Sequence, residues 1–258
     1  MEGKQTNLFI PAAILIAGAM IASAVMYSNK GPVDTTPKFS LNTTDISDAD
    51  HILGDRNASI KIVEYSATEC PFCKVYHSYL HELVQGENKI EDLAWVYRHF
   101  PIESLHKKAI REAEATECVA KIGGEDTFWT YLDSIYANTN SNDSLPDEML
   151  FTLAEQVGVS VDEFSQCLES GEMNEKILAS IDEAQDAGAR GTPYSILYLD
   201  EKLSDEQIET IKAFDLEVTQ GHPTNRVFRV DEVSKDKVSL SGAIPGPLVA
   251  ELINIIRE

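Results

Sequence analysis

Cys70-Pro71-Phe72-Cys73 constrains this chain more than any other stretch. It follows a strand-like run, Ile60 to Ser66, and opens a helix-like run, Lys74 to Val84. At such a junction the first cysteine sits at a helix N-terminus, where unpaired backbone N–H groups and the helix dipole favour an anion. Its pKa falls and thiolate becomes available for exchange. Two intervening residues place the second sulfur on the first helical turn, close enough to close a reducible disulfide. Pro71 suits an early helical position because it gives up only an orphan N–H. Cys70 is therefore expected to be the solvent-accessible attacking thiol and Cys73 the buried one. Half of a zinc site is the alternative, set aside for want of a second C-x-x-C or an H-x₃₋₅-H pair, and no metal or cofactor is expected.

The chain has 258 residues and is 43% hydrophobic, enough for one domain with an insertion. Its formal net charge of −22 repels nucleic acid and anionic lipid headgroups, so no nucleic-acid partner is expected. Leu8 to Tyr27 is apolar apart from Ser23 and uncharged, long enough for a bilayer core. Residues 1–30 thus read as a transmembrane anchor, with a cleaved signal segment as the alternative, Ala22-Ser23-Ala24 being small enough for cleavage. Residues 31–50, with Gly31, Pro32, Pro37 and many Thr, Asp and Ser, read as a linker. Four cysteines forming two plausible pairs suit an oxidising compartment, which puts the remaining domain outside the cytoplasm.

Beyond the C-x-x-C helix, Leu93 to Phe100 reads as a second strand ended by Pro101. Apolar residues then recur at helical spacing from about 105 to 187, with a break at Asn138 to Pro146. Pro146-Asp147-Glu148 starts one helix of this block, and Ser160-x-x-Glu163 is a capping box for another. Strand character returns at Tyr194–Leu199 and Val238–Leu240, and Pro247 opens a last helix. Residues 200–237 form an excursion between those strands, with Ser204 as N-cap of a helix over Asp200 to Phe214. The fold class is α/β: a thioredoxin-like central sheet with an inserted α-helical domain, spanning residues 51–258.

Alternation along the first strand puts Glu64 on the face of Ile60, Ile62 and Ser66; a solvated strand acid is its plain reading. Cys118 and Cys167 fall in different helices of the insertion without metal-ligand spacing. They read as a structural disulfide, with two buried free thiols or a second redox relay as alternatives. His77 reads as a partly exposed helix histidine, His99 and His106 as structural, and Tyr76 and Tyr79 as packing.

In sequence order, Asp50 to Gly54, Val63 to Ser66, Cys70 to Cys73, Tyr97-Arg98-His99-Phe100-Pro101, Ala113 to Cys118, Phe128-Trp129, Gly188 to Pro193 and Ser241-Gly242-Ala243 resemble the DsbA-like family of exported thiol:disulfide oxidoreductases. The resemblance implies a proton-shuttling role for Glu64 beneath the disulfide. It also implies a cis peptide at Thr192-Pro193, whose loop faces the cysteines, offers the Thr192 backbone to an extended substrate and keeps metal from the thiols. Pro71 and Phe72 would line the substrate side. Phe72 departs from the histidine that the family's strongest oxidants carry there. The implied activity is disulfide exchange with exported proteins bearing cysteine thiols, in the oxidase direction ahead of isomerase or reductase. Reoxidation falls to a membrane oxidase of the DsbB or vitamin-K-epoxide-reductase kind. The competing reading is a membrane-tethered client-binding protein with a vestigial or metal-loading C-x-x-C. The 200–237 excursion either shapes the client groove or is neutral surface elaboration.

Overall fold

The computed structural model describes residues 38–222 and 225–258. The segment read as an anchor or signal, residues 1–30, lies outside them. Among the described residues no helix is long and apolar enough to cross a membrane.

The elements in chain order are β1 (His51–Leu53), β2 (Ile60–Ser66), α1 (Pro71–Gln85), β3 (Leu93–His99), α2 (Ala109–Gly123), α3 (Glu125–Asn138), α4 (Asp147–Gln156), α5 (Val161–Ser170), α6 (Asn174–Asp186), β4 (Tyr194–Leu199), α7 (Asp205–Val218), β5 (Phe228–Val230), β6 (Lys237–Ser241) and α8 (Gly246–Arg257). The sheet order is β1-β3-β2-β4-β6-β5. Among the described residues only β2 and β3 run parallel, and α1 is their crossover; every other pairing is antiparallel. The redox motif therefore lies beyond the carboxyl end of a central strand, where α/β folds place their chemistry.

Alternation along the strands supplies two buried faces. Ile60, Ile62, Trp95, Leu197, Val238 and Leu240 pack against Tyr76, Leu80 and Leu83 of α1 and Val249, Leu252 and Ile253 of α8. On the other face Val63, Tyr65, Val96 and Ile196 pack against Ala184 of α6 and Ala187 just beyond it. The helical insertion between β3 and β4 has a core of its own, which includes Val119, Tyr131, Ile135, Phe164 and Leu168.

Two regions differ from expectation. Residues 38–50, at the end of the expected linker, are part of the folded unit. Leu41 is buried and its N–H donates to Asp231 at 2.9 Å, while Phe39 O accepts from Glu232 N–H at 2.9 Å. Arg98 grips Asp50 with Nε at 2.7 Å and Nη2 at 3.0 Å. Polarity suggested a linker, but these polar groups find specific partners, and Leu41 supplies the apolar anchor.

The second region is the 200–237 excursion. Its helix begins at Asp205 rather than Asp200 and runs past Phe214 to Val218. Ser204 caps it in a reciprocal capping box with Gln207. Ile208, Ile211, Phe228 and Val230 join the main core, and β5 adds an edge strand that the sequence reading did not contain. Buried Asp215 holds the return, accepting from the N–H groups of Val227 and Phe228 at 2.8 Å each, with Arg226 at 3.3 Å. Neutral surface elaboration does not describe a segment that completes the core.

Candidate active site

Cys70 is the N-cap of α1, with extended backbone (φ −82°, ψ 119°), and Pro71 follows in the first helical turn. Cys70 Sγ lies 3.3 Å from the carbonyl oxygen of Thr192, to which it donates as a thiol. The Thr192-Pro193 peptide is cis, and Pro193 O accepts from Gly242 N–H at 3.0 Å, which ties the loop to the end of β6. Hydrogen bonding from the Cys73 thiol draws Cys70 down to about 6, against the opposing effect of burial, and the backbone N–H groups of Cys73 and Phe72 add to it. Cys73 is fully enclosed, and burial together with the neighbouring Cys70 sulfur pushes its pKa well up. The pair is thus divided into one thiolate and one thiol near neutral pH. Cys70 is only 5% exposed, less open than its expected role as an accessible thiol suggested, because the cis-proline loop covers it.

Glu64 lies beneath this pair on β2, opposite Tyr97 of β3 and Ser195 of β4. The plain reading of a solvated acid fails, since Glu64 is completely buried. Its Oε1 accepts from Ser66 Oγ at 2.7 Å, and Ser66 Oγ also meets Tyr136 Oη at 3.2 Å. Burial pushes Glu64 up to about 8, with the Ser66 hydrogen bond opposing and the Cys70 charge reinforcing the rise. At neutral pH it is mostly a carboxylic acid, held through Oε1 by Ser66.

The structure brings together Cys70, Cys73, Thr192 and Pro193, sets Glu64 below them, and turns Phe72 outward at 65% exposure beside half-exposed Val75. Cys118 and Cys167 are bonded, with Cα atoms 5.8 Å apart, inside the insertion's core.

Several neighbours escaped sequence reasoning. Glu69, directly before Cys70, is buried and accepts from Asp143 N–H at 2.6 Å, while its carbonyl accepts from Asn142 N–H at 2.9 Å. Ser141, Asn142 and Asp143 all have positive φ (64°, 56° and 63°), a costly run for residues other than glycine. The insertion's loop is thereby fastened to the redox turn. Glu112 pairs with Glu69, and burial plus that carboxylate raise its pKa. His77 is buried rather than partly exposed, with Nε2 2.7 Å from Asp133 Oδ1. The expectation that the chain has no H-x₃₋₅-H pair is wrong: His77 and His81 are one, and both rings meet Asp133 Oδ1.

A family model described as Thioredoxin matches residues 46–214. Among solved structures, Pseudomonas aeruginosa DsbA2 superposes with a TM-score of 0.57 at 23% identity, covering 81% of this chain and 96% of that one. Bacillus subtilis BdbD gives 0.54 at 20% identity, covering 69% and 98%. A Na(+)/H(+) antiporter NhaA 3 from Salinispora tropica is 29% identical over 188 residues, 73% of this chain and 26% of that protein. The chain spans about a quarter of the length of such curated relatives. The chain belongs to the thioredoxin family, and its fold, with a helical insertion between β3 and β4, is DsbA-like.

Proposed function

We propose that this protein is an extracytoplasmic thiol:disulfide oxidoreductase that works mainly as an oxidase of exported proteins. The observation that carries the reading is the divided cysteine pair: Cys70, drawn down to about 6 at a helix N-terminus against Thr192 O, above a fully buried Cys73. With Cys70–Cys73 closed, a substrate thiolate attacks Cys70 Sγ, forms a mixed disulfide and expels Cys73 as thiolate. That anion cannot persist in its enclosed position, and Glu64, largely protonated at neutral pH, is the acid beneath it that supplies a proton. A second substrate thiolate attacks the mixed disulfide at the substrate sulfur. The substrate leaves as a disulfide and Cys70 leaves as a thiolate, the better leaving group because its pKa is low.

The two electrons taken from the substrate now reside on Cys70 and Cys73. A quinone-linked membrane oxidase of the DsbB or vitamin-K-epoxide-reductase kind is the proposed acceptor. The Thr192 backbone offers an extended peptide an added-strand contact, and exposed Phe72 and Val75 give it apolar surface. The α7–β5 return leaves from the same end of the sheet, since Val227 O accepts from Ser241 N–H and Pro193 O from the adjacent Gly242 N–H. That proximity is the support for the role we assign the excursion, a contribution to client choice.

The test is refolding of reduced, denatured ribonuclease with the oxidised protein. Regain of ribonuclease activity that depends on Cys70, with Cys73→Ser trapping mixed disulfides, supports the reading. Tight client binding without turnover would replace it with the client-binding alternative.

A further inference from the structure

We propose that His77, His81 and Asp133 form a binding site for a divalent transition-metal cation of the zinc class, which pins the redox helix α1 to helix α3 of the insertion. His77 and His81 are four residues apart on α1 and so share one face. Both rings direct Nε2 at the same oxygen, Asp133 Oδ1, at 2.7 Å and 2.8 Å. The three donor atoms all lie within 4.8 Å of one another.

Around a tetrahedral zinc ion with ligands at about 2.0 Å, neighbouring donors stand about 3.3 Å apart. Asp133 Oδ1 needs to move out by only about half an ångström from each ring nitrogen to admit the ion, which half-exposed Asp133 has the freedom to do, and the two Nε2 atoms, within 4.8 Å of one another, have to settle at about the same 3.3 Å spacing. The histidines are already oriented. The His77 ring packs on Tyr136 with centroids 4.4 Å apart and on Trp95 at 5.0 Å, and the His81 ring meets Trp95 at 5.3 Å. A site whose rings are held by packing loses little freedom on binding. It opens onto a surface recess of about 570 Å³, which gives an entry path and room for a water as fourth ligand. Two imidazoles and one carboxylate select zinc, nickel or copper(II) over calcium or magnesium, which prefer all-oxygen sets.

This site is separate from the thiols. His77 follows Cys73 by one helical turn but faces α3, whereas Cys73 faces Cys70, Glu64 and Ser66. In fully oxidised protein all four cysteines are in disulfides, so metal uptake then reads the histidine–aspartate set alone.

The experiment is calorimetric titration of the full oxidised chain with zinc chloride, calcium chloride serving as control, and cobalt(II) absorption as a second readout. One zinc per chain, no calcium binding, and cobalt d–d bands without a thiolate charge-transfer band are expected. His81→Ala and Asp133→Asn, each checked by circular dichroism for retained fold, should weaken zinc binding roughly tenfold or more, since even outer-shell partners of metal sites are worth about that much. Absence of zinc uptake by oxidised protein, or uptake undiminished in both variants, overturns the proposal and leaves a hydrogen-bonded triad.

Discussion

Replacing Glu64 by glutamine should stabilise the protein at neutral pH, and the gain should grow as pH rises. Glu64 is completely buried and pushed up from 4.5 to about 8. Its folded pKa exceeds its unfolded value, so the stability it contributes is fully present below pH 4.5 and is lost as pH rises through 8. Between those limits the unfolded chain releases a proton that the folded chain keeps, and stability falls with pH. Each unit of difference is worth about 1.36 kcal/mol, so the loss is under about 1 kcal/mol at pH 5 and about 3 kcal/mol at pH 7. The glutamine side chain is nearly isosteric, keeps an acceptor for Ser66 and does not titrate, so the variant escapes the loss. The assay is urea unfolding of reduced wild type and Glu64→Gln at pH 5, 6, 7 and 8. Cys70 titrates in this range beside residue 64, so both proteins carry Cys70→Ser in this assay, and Glu112 and the remaining groups titrate alike in the two, so the difference between the curves isolates residue 64. Parallel pH profiles would refute the reasoning, because they would mean that Glu64 ionises in the fold as readily as in the unfolded chain. With Cys70 intact, the Glu64→Gln variant lacks the proton that Cys73 needs, so its substrate oxidation should slow even as its stability rises.

Further expectations follow from the same geometry. Cys73→Ala removes the largest influence holding Cys70 near 6, so the midpoint of Cys70 alkylation against pH should move up by about one unit; an unmoved midpoint would assign the low value to the helix terminus alone. Replacing both Cys118 and Cys167 by Ala frees a long loop and should cost roughly 2–4 kcal/mol in denaturant unfolding while ribonuclease refolding at 25 °C persists. Asp215→Ala strands the buried N–H of Phe228 and the part-buried N–H of Val227 and should cost about 1–3 kcal/mol, with hydrogen exchange accelerating first at Phe228–Val230. Replacing residues 202–236 with a short turn should destabilise the domain by removing Ile208, Ile211, Phe228 and Val230 from the core and uncovering the β6 edge; unchanged stability and client range would remove the role assigned to the excursion.

What the sequence makes legible is local. The C-x-x-C at a strand–helix junction, the capping residue Ser204 and the proline that ends β3 are all encoded within a few positions, whereas alternation alone left Glu64 a solvated acid. What it hides depends on distant partners. Strand β5 has only three residues and is defined by pairing with β6. The 38–50 segment is polar enough to pass for a linker until Asp231, Glu232 and Arg98 are placed beside it. The H-x₃-H spacing of His77 and His81 is local and lay open in the sequence; its third partner, Asp133, comes from another helix and did not. Tyr136 reaches Ser66 from the insertion, a contact that no period along either element could announce.

The unequal acidity of Cys70 and Cys73 also sets how the driving force responds to the acidity of the compartment. Reducing an ordinary disulfide to two thiols at neutral pH takes up two protons with two electrons, so the potential falls by about 59 mV per pH unit. Here Cys70 is already a thiolate above pH 6, and reduction takes up one proton, carried by Cys73. The potential then falls by only about 30 mV per pH unit, and each unit of alkalinity tilts the exchange with ordinary protein thiols about tenfold toward the substrate disulfide.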